Sequence, residues 1–283
     1  MTRKQIHKDL THKLAGLYPV QEADAIACIC LQYAGGFDTL QYHLNIDKAP
    51  DHNELSTIEA CTRRLLAYEP IQYITGHTWF YGFKFHVNPA VLIPRQETEL
   101  LVDIIIKENL TKQPQQILDI GTGSGCIAIS LAVQLSESNV TAIDISLEAI
   151  AVAKMNAELN KAHVEFNVSD ILDENCIISQ PYDIIVSNPP YVLRSEVVHM
   201  LNNVTEYEPH SALFVDDNNA LCYYESILQK SRSCLKQKGC IYFEFNETKT
   251  LEMKALLSKY QFDNMQFYED FQKKCRFVRV IKN

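Results

Sequence analysis

The segment Asp119-Ile120-Gly121-Thr122-Gly123-Ser124-Gly125 joins a short apolar run, Gln116-Ile117-Leu118, to a longer one, Cys126-Ile127-Ala128-Ile129-Ser130-Leu131. The clustered glycines break both runs at the join, so the order reads strand, tight turn, helix. A strand that feeds a helix in this way belongs to a parallel sheet with crossover helices. The ligands of such sheets lie beyond the carboxyl ends of the strands. Glycine permits φ > 0 and lets a ligand approach bare backbone, and the N–H groups at the helix start can receive a carboxylate.

A dinucleotide fingerprint requires Gly-x-Gly-x-x-Gly, whereas the spacing here is Gly-x-Gly-x-Gly followed by Cys126. A nicotinamide or flavin is therefore disfavoured. The next apolar strand, Asn139-Val140-Thr141-Ala142-Ile143-Asp144, ends in an acid placed to accept hydrogen bonds from both hydroxyls of a ribose. Together these signals describe a nucleoside with a carboxylate tail and no pyrophosphate, and S-adenosyl-L-methionine fits. The candidate cofactor contacts are Asp119, Gly121, Thr122, Gly123, Ser124, Gly125 and Asp144.

A second motif, Asn188-Pro189-Pro190-Tyr191, ends the apolar strand Asp183-Ile184-Ile185-Val186-Ser187. An amide or aniline-like NH2 is a poor nucleophile because its lone pair is delocalised, so a catalyst must hold both N–H bonds and steer that lone pair toward an electrophile. The Asn188 side-chain oxygen and the Pro189 carbonyl are two such acceptors, with φ fixed at Pro189 and Pro190. Tyr191 offers an aromatic wall beside the substrate plane. The candidate catalytic residues are thus Asn188, Pro189 and Tyr191; these with Pro190 form the candidate substrate site, and Asn188 is a candidate cofactor contact as well. Asn-Pro and Pro-Pro pairs also mark an ordinary strand exit.

Residues 1–75 read as a helical unit, with Ile6, Leu10, Leu14 and Leu17 on one helix face and Leu55, Ile58, Leu65 and Leu66 on another. Residues 76–92 read as a hairpin connector, carrying the aromatic alternation from Trp79 to Val87. Residues 93–283 alternate strands with helices, the strands ending at Asp119, Asp144, Asn167, Ser187 and Phe245, with two more near Gln266 and Phe277–Val280. The expected fold is α/β, a doubly wound and mostly parallel seven-stranded sheet preceded in the chain by a small helical bundle and the hairpin connector.

At 283 residues and 47% hydrophobic content the chain can bury a substantial core. Its apolar runs are too short to span a membrane, and the N-terminus Met1-Thr2-Arg3-Lys4-Gln5 lacks the apolar centre of a secretory signal, so a cytoplasmic location is expected. The nine cysteines are scattered and no His-Glu-x-x-His spacing occurs, which suggests neither a disulfide framework nor a metal site. A net charge of −9 disfavours free nucleic acid as partner and suits a basic protein instead.

The chain resembles the class I S-adenosylmethionine-dependent methyltransferases, and more closely the HemK/PrmC glutamine methyltransferases of peptide chain release factors. The resemblance runs in order through Glu69-Pro70-Ile71-Gln72-Tyr73-Ile74-Thr75-Gly76, Val91-Leu92-Ile93-Pro94-Arg95-Gln96-Glu97-Thr98-Glu99, the glycine loop, Asn188 to Tyr191, and Tyr207-Glu208-Pro209-His210-Ser211-Ala212-Leu213-Phe214. It implies a Rossmann-like methyltransferase domain, a helical domain that helps recognise the protein substrate, and transfer to the glutamine amide of the Gly-Gly-Gln loop in class I release factors, with S-adenosyl-L-homocysteine as product. By the same resemblance Asp170 sits where relatives contact the adenine amino group. An ordinary strand-end turn is the other reading of Asp170, and Ile171 stands where relatives often carry an aromatic, leaving apolar contact. Arg95 is a site residue or a salt-bridge partner, and His210 reads as structural. An exocyclic-amine nucleic-acid methyltransferase is the second reading of the Asn188 motif, and a cofactor-binding scaffold without catalysis the third.

Overall fold

Thr2 starts α1 (Arg3–Leu14) in the computed structural model by accepting from the Gln5 N–H while the Gln5 side chain accepts from the Thr2 N–H. α2 (Val20–Gly35) stops at Gly36, whose φ of 64° is left-handed. Asp38 repeats the reciprocal cap at α3 (Thr39–Asn45), Asp51 caps α4 (His52–Leu66) through the Glu54 N–H, and α5 (Ile71–Thr75) follows. The structure describes residues 1–110, 112–176, 178 and 180–282. Met1–Gly76 and Leu201–Tyr207 form one compact unit; His77–Met200 and Glu208–Asn283 form the other.

The core of the helical unit gathers Leu10, Leu14, Leu31, Tyr42, Ile58 and Leu65. The stripe expected on α4 is displaced: Leu55 and Leu66 are exposed, and the buried face runs through Glu54, Ile58, Cys61 and Leu65. A buried carboxylate is tolerated there because the Arg3 guanidinium donates to both Glu54 oxygens at 2.5 Å.

The second unit opens with the hairpin β1 (His77–Phe80) and β2 (Phe83–His86), turned at Tyr81 and Gly82 with positive φ at both. Phe80 and Phe85 stack edge to face in the core while Trp79 is exposed. α6 (Gln96–Asn109), β3 (Gln116–Ile120), α7 (Cys126–Gln134), β4 (Asn139–Asp144), α8 (Leu147–Leu159), β5 (Val164–Val168), β6 (Tyr182–Ser187) and β7 (Val192–Leu193) come next. The chain then visits the helical unit through α9 (Asn202–Thr205) and returns for α10 (His210–Leu213), β8 (Phe214–Val215), α11 (Cys222–Cys234), β9 (Leu235–Glu244), α12 (Thr250–Lys259), β10 (Asn264–Glu269) and β11 (Cys275–Ile281).

The seven-stranded sheet has the order β10-β11-β9-β6-β3-β4-β5. β9, β6, β3, β4 and β5 are parallel neighbours, and β11 and β10 are antiparallel. Alternation along the central strands feeds two cores: Ile117, Ile184 and Val186 belong to one cluster, with α6 and α7, and Leu118, Ile120 and Ile185 to another, with α11 and α12. Each such buried aliphatic contributes roughly 1.5–3 kcal/mol. The sheet grows outward from β3 through β4 and β5, then resumes at β6 on the other side of β3. That reversal is where an open α/β sheet leaves a crevice. Among the described residues no helix is long and apolar enough to cross a membrane.

Candidate active site

Ile120 and Ser187 are paired residues on neighbouring strands, and the Ser187 hydroxyl donates to the Ile120 carbonyl at 2.7 Å. The loops after β3 and β6 therefore leave the sheet side by side. In the first loop the N–H groups of Gly121 and Thr122 both donate to the Ile143 carbonyl, at 2.9 and 3.0 Å, folding it over the end of β4. Gly121 and Gly123 have positive φ and open space where a side chain would project, so bare backbone faces outward.

Asp144 ends β4 with Oδ2 accepting from the Gly123 N–H at 2.8 Å and Oδ1 from the Ser146 N–H at 2.9 Å. Each carboxylate oxygen keeps a further lone pair for a ligand hydroxyl. Asp119 is fully buried; Oδ2 accepts from the Thr122 hydroxyl at 2.7 Å, and the Ala128 N–H of α7 lends the carboxylate weaker support. Burial pushes its carboxyl up to about 7, against the Thr122 hydrogen bond. The buried Ser124 hydroxyl has the Cys126 thiol as its polar neighbour.

One cavity is lined by the loop from Gly121 to Ser124, by Asp144, by Asp170 and Ile171, and by Asn188, Pro189 and Pro190. Most residues proposed from sequence thus meet at one place. Asp119, Gly125 and Tyr191 do not line it. Asp119 braces the loop from below, and Gly125 caps α7 with φ of 82°, where an added Cβ would lie 2.9 Å from Ile129 Cδ1. Tyr191 sends its hydroxyl to Glu244 Oε1 at 3.1 Å and packs its ring on the apolar cluster of Leu118 and Ile120. Burial raises its pKa, and the nearby Glu244 charge adds to the effect.

Asp170 is in the strand-end turn, its Oδ1 accepting from the Leu172 N–H at 2.8 Å, and it also lines the cavity. Arg95 is a salt-bridge partner, its guanidinium pairing with Glu208 at 2.5 Å, and it too lines the cavity. The second Glu208 oxygen accepts from the Ile93 N–H at 3.2 Å, which holds the segment before α6 against the cavity. His210 meets the Phe214 ring edge to face.

Sequence reasoning missed Tyr223, which lines the cavity with Asp170 and Asp144. Burial raises its hydroxyl pKa, followed by Cys222 and these two acids. It opens α11, and helices of this sheet begin at the strands' carboxyl ends, which was the available signal. Thr98 was also missed: its hydroxyl donates to Glu244 Oε2 at 2.8 Å and accepts from Asn188 Nδ2 at 3.1 Å.

Bare glycine backbone at Gly121 and Gly123 and an Asp144 carboxylate with free lone pairs suit a nucleoside that ends in an amino acid, so the residues present fit S-adenosylmethionine. Comparison with known proteins agrees. Residues 96–206 match the Methyltransferase small domain family and residues 5–76 the PrmC N-terminal domain family. The Release factor glutamine methyltransferase of Flavobacterium psychrophilum is 41% identical over 99% of this chain and 99% of its own length; that of Bacteroides thetaiotaomicron is 39% identical over 95% and 96%. Among solved structures, the 16S rRNA N2 G1207 methyltransferase of T. thermophilus, in complex with AdoMet and guanosine, aligns with TM-score 0.55 at 18% identity over 73% of this chain and 50% of that one. A methyltransferase from Pyrococcus furiosus aligns with TM-score 0.52 at 17% identity over 80% and 99%. These structures share the fold.

Proposed function

The chain belongs to the release factor glutamine methyltransferase family, and from that premise we propose that it methylates the side-chain amide nitrogen of the glutamine in the Gly-Gly-Gln loop of class I peptide chain release factors. The methyl donor is S-adenosylmethionine; as the N–CH3 bond forms and the S–CH3 bond breaks, S-adenosylhomocysteine is released and the amide nitrogen gives up one proton to solvent. The observation that carries the reading is that Asn188 and Pro189 line the same cavity as Gly121 and Asp144, which supports acceptor and donor sites within one enclosure.

S-adenosylmethionine, when bound, supplies a methyl already activated on a sulfonium. The residues of the chain therefore align and desolvate. The loop from Gly121 to Ser124 would receive the carboxylate tail, Asp144 the ribose hydroxyls, and Asp170 the adenine amino group with Ile171 in apolar contact. The Asn188 Oδ1 and the Pro189 carbonyl would accept the two N–H bonds of the glutamine amide, directing its nitrogen toward the methyl carbon. Such alignment can supply roughly 7–11 kcal/mol where the reactants are well oriented. As the nitrogen gains positive character its N–H groups become better donors, so the acceptors bind the transition state more strongly than the ground state.

The test is transfer of labelled methyl from S-adenosylmethionine into purified release factor, its Gln-to-Ala loop variant and a nucleic-acid pool, with native enzyme and with Asn188→Ala. Label confined to native release factor, and lost with either substitution, is expected. Label in nucleic acid alone would overturn the reading in favour of an exocyclic amine.

A further inference from the structure

The two ends of an Asn side chain have nearly the same shape, and catalysis by Asn188 needs the oxygen end to face the substrate amide. With the amide reversed, its NH2 would confront the N–H groups it has to accept from. Its hydrogen-bond partners decide between the two orientations.

Asn188 Nδ2 lies 3.1 Å from the Thr98 oxygen. A threonine hydroxyl has one hydrogen, and that of Thr98 is engaged by Glu244 Oε2 at 2.8 Å. Its oxygen can then only accept from Asn188. An ionised carboxylate is itself acceptor-only, so the polarity of the chain is set at its buried end. Among the described residues nothing donates to Asn188 Oδ1, and both Asn188 and Thr98 line the cavity.

Glu244 is anchored for this task. It ends β9 one residue beyond the Ser187–Phe243 pair, it is 1% exposed, and its own carbonyl accepts from the Tyr224 hydroxyl at 2.9 Å. Its second carboxylate oxygen takes the Tyr191 hydroxyl at 3.1 Å. One carboxylate therefore holds the first residue of the Asn188-to-Tyr191 motif through Thr98 and the last directly.

We propose that Glu244 and Thr98 are positioning residues that fix the amide orientation of Asn188, so that its oxygen and not its nitrogen meets the substrate. The role rests on the assignment of Asn188 as acceptor of the substrate amide. Neither residue touches the reacting atoms; both act through Asn188.

The experiment compares Thr98→Val, Thr98→Ser and Glu244→Gln with native enzyme, measuring kcat and KM for methyl transfer and the Kd of S-adenosylmethionine by calorimetry. Thr98→Val keeps the shape but not the relay, and kcat is expected to fall about 10²-fold, the scale of a misplaced catalytic group. The Kd is expected to move less than about threefold, a shift well below 1 kcal/mol. Thr98→Ser is expected to restore turnover, and Glu244→Gln, whose amide can donate to Thr98, to lose it. Near-native kcat in Thr98→Val, or an equal loss of kcat and cofactor affinity with no rescue by serine, would overturn the relay.

A second readout needs no substrate: hydrogen exchange of the Asn188 side-chain NH2, assigned by its absence in Asn188→Ala, is expected to quicken in Thr98→Val and Glu244→Gln. Unchanged exchange in both would also overturn the proposal. Activity of the native enzyme on release factor judges the substrate reading separately.

Discussion

Asn156 binds both backbone polar groups of His86, its Oδ1 accepting from the N–H at 2.6 Å and its Nδ2 donating to the carbonyl at 3.0 Å. The same Nδ2 donates to the Ser124 carbonyl at 2.9 Å, so one fully buried amide on α8 joins the hairpin to the glycine loop. Asn156→Ala leaves these groups without partners. A loss of roughly 3 kcal/mol in urea unfolding is expected, together with weaker S-adenosylmethionine binding as the loop loosens.

Gly125 combines φ of 82° with the close approach of Ile129 and Ala153. Gly125→Ala is expected to cost about 1–3 kcal/mol through left-handed strain alone, more if the Ile129 side chain cannot shift. Thermal denaturation measures it, and a Tm equal to that of the native protein would contradict the close packing of α7 on α8.

The proposed roles of Asp144 and Asn188 divide binding from chemistry. Asp144→Ala is expected to raise the Kd of S-adenosylmethionine at least about tenfold, or 1.4 kcal/mol, whereas Asn188→Ala is expected to abolish turnover with little change in Kd. Calorimetry on both variants checks the division, and equal losses of affinity would count against it.

Glu244 hydrogen-bonds Thr98 of α6 and Tyr191 beyond β6, its carbonyl takes the Tyr224 hydroxyl of α11, and Glu97 of α6, Cys126 of α7 and Arg276 of β11 interact with it through charge. Burial raises its carboxyl from 4.5 to about 7, against the hydrogen bonds of Thr98 and Tyr191 and the charge of Arg276. A carboxyl that holds its proton more tightly when folded stabilises the fold fully at pH below its unfolded value, and that contribution fades as pH climbs to the folded value. Turnover needs the ionised form and runs the other way. Between about pH 5 and about pH 8 the native protein is expected to lose more stability than Glu244→Gln, while its kcat rises through about 7. A kcat flat across that range would show that Glu244 ionisation does not govern Asn188.

The glycine loop, Asp144, Asp170 and Asn188 were legible in the sequence because turn residues at the ends of apolar strands are local signals. The order of strands and helices was legible for the same reason. Tyr191 was not: whether its ring meets the cavity or the core depends on Glu244, which arrives from β9 many residues later. The relay through Thr98 and the lining role of Tyr223 likewise need partners brought together only by the sheet. On α4 a hydrophobic count favoured Leu55 and Leu66, while the actual inner face admits Glu54 because Arg3 neutralises it.

The pairing of Ile120 with Ser187 has a consequence for how this site can vary. Adjacent strands lie ~4.8 Å apart wherever they occur, so the gap between the loop proposed to hold the donor and the residue proposed to hold the acceptor is ruled by the sheet's own grid. Loop residues can be exchanged without altering that gap, whereas one residue inserted within β6 would send Asn188 to the opposite face of the sheet. The working distance is built into the backbone lattice, and the side chains only tune what happens across it.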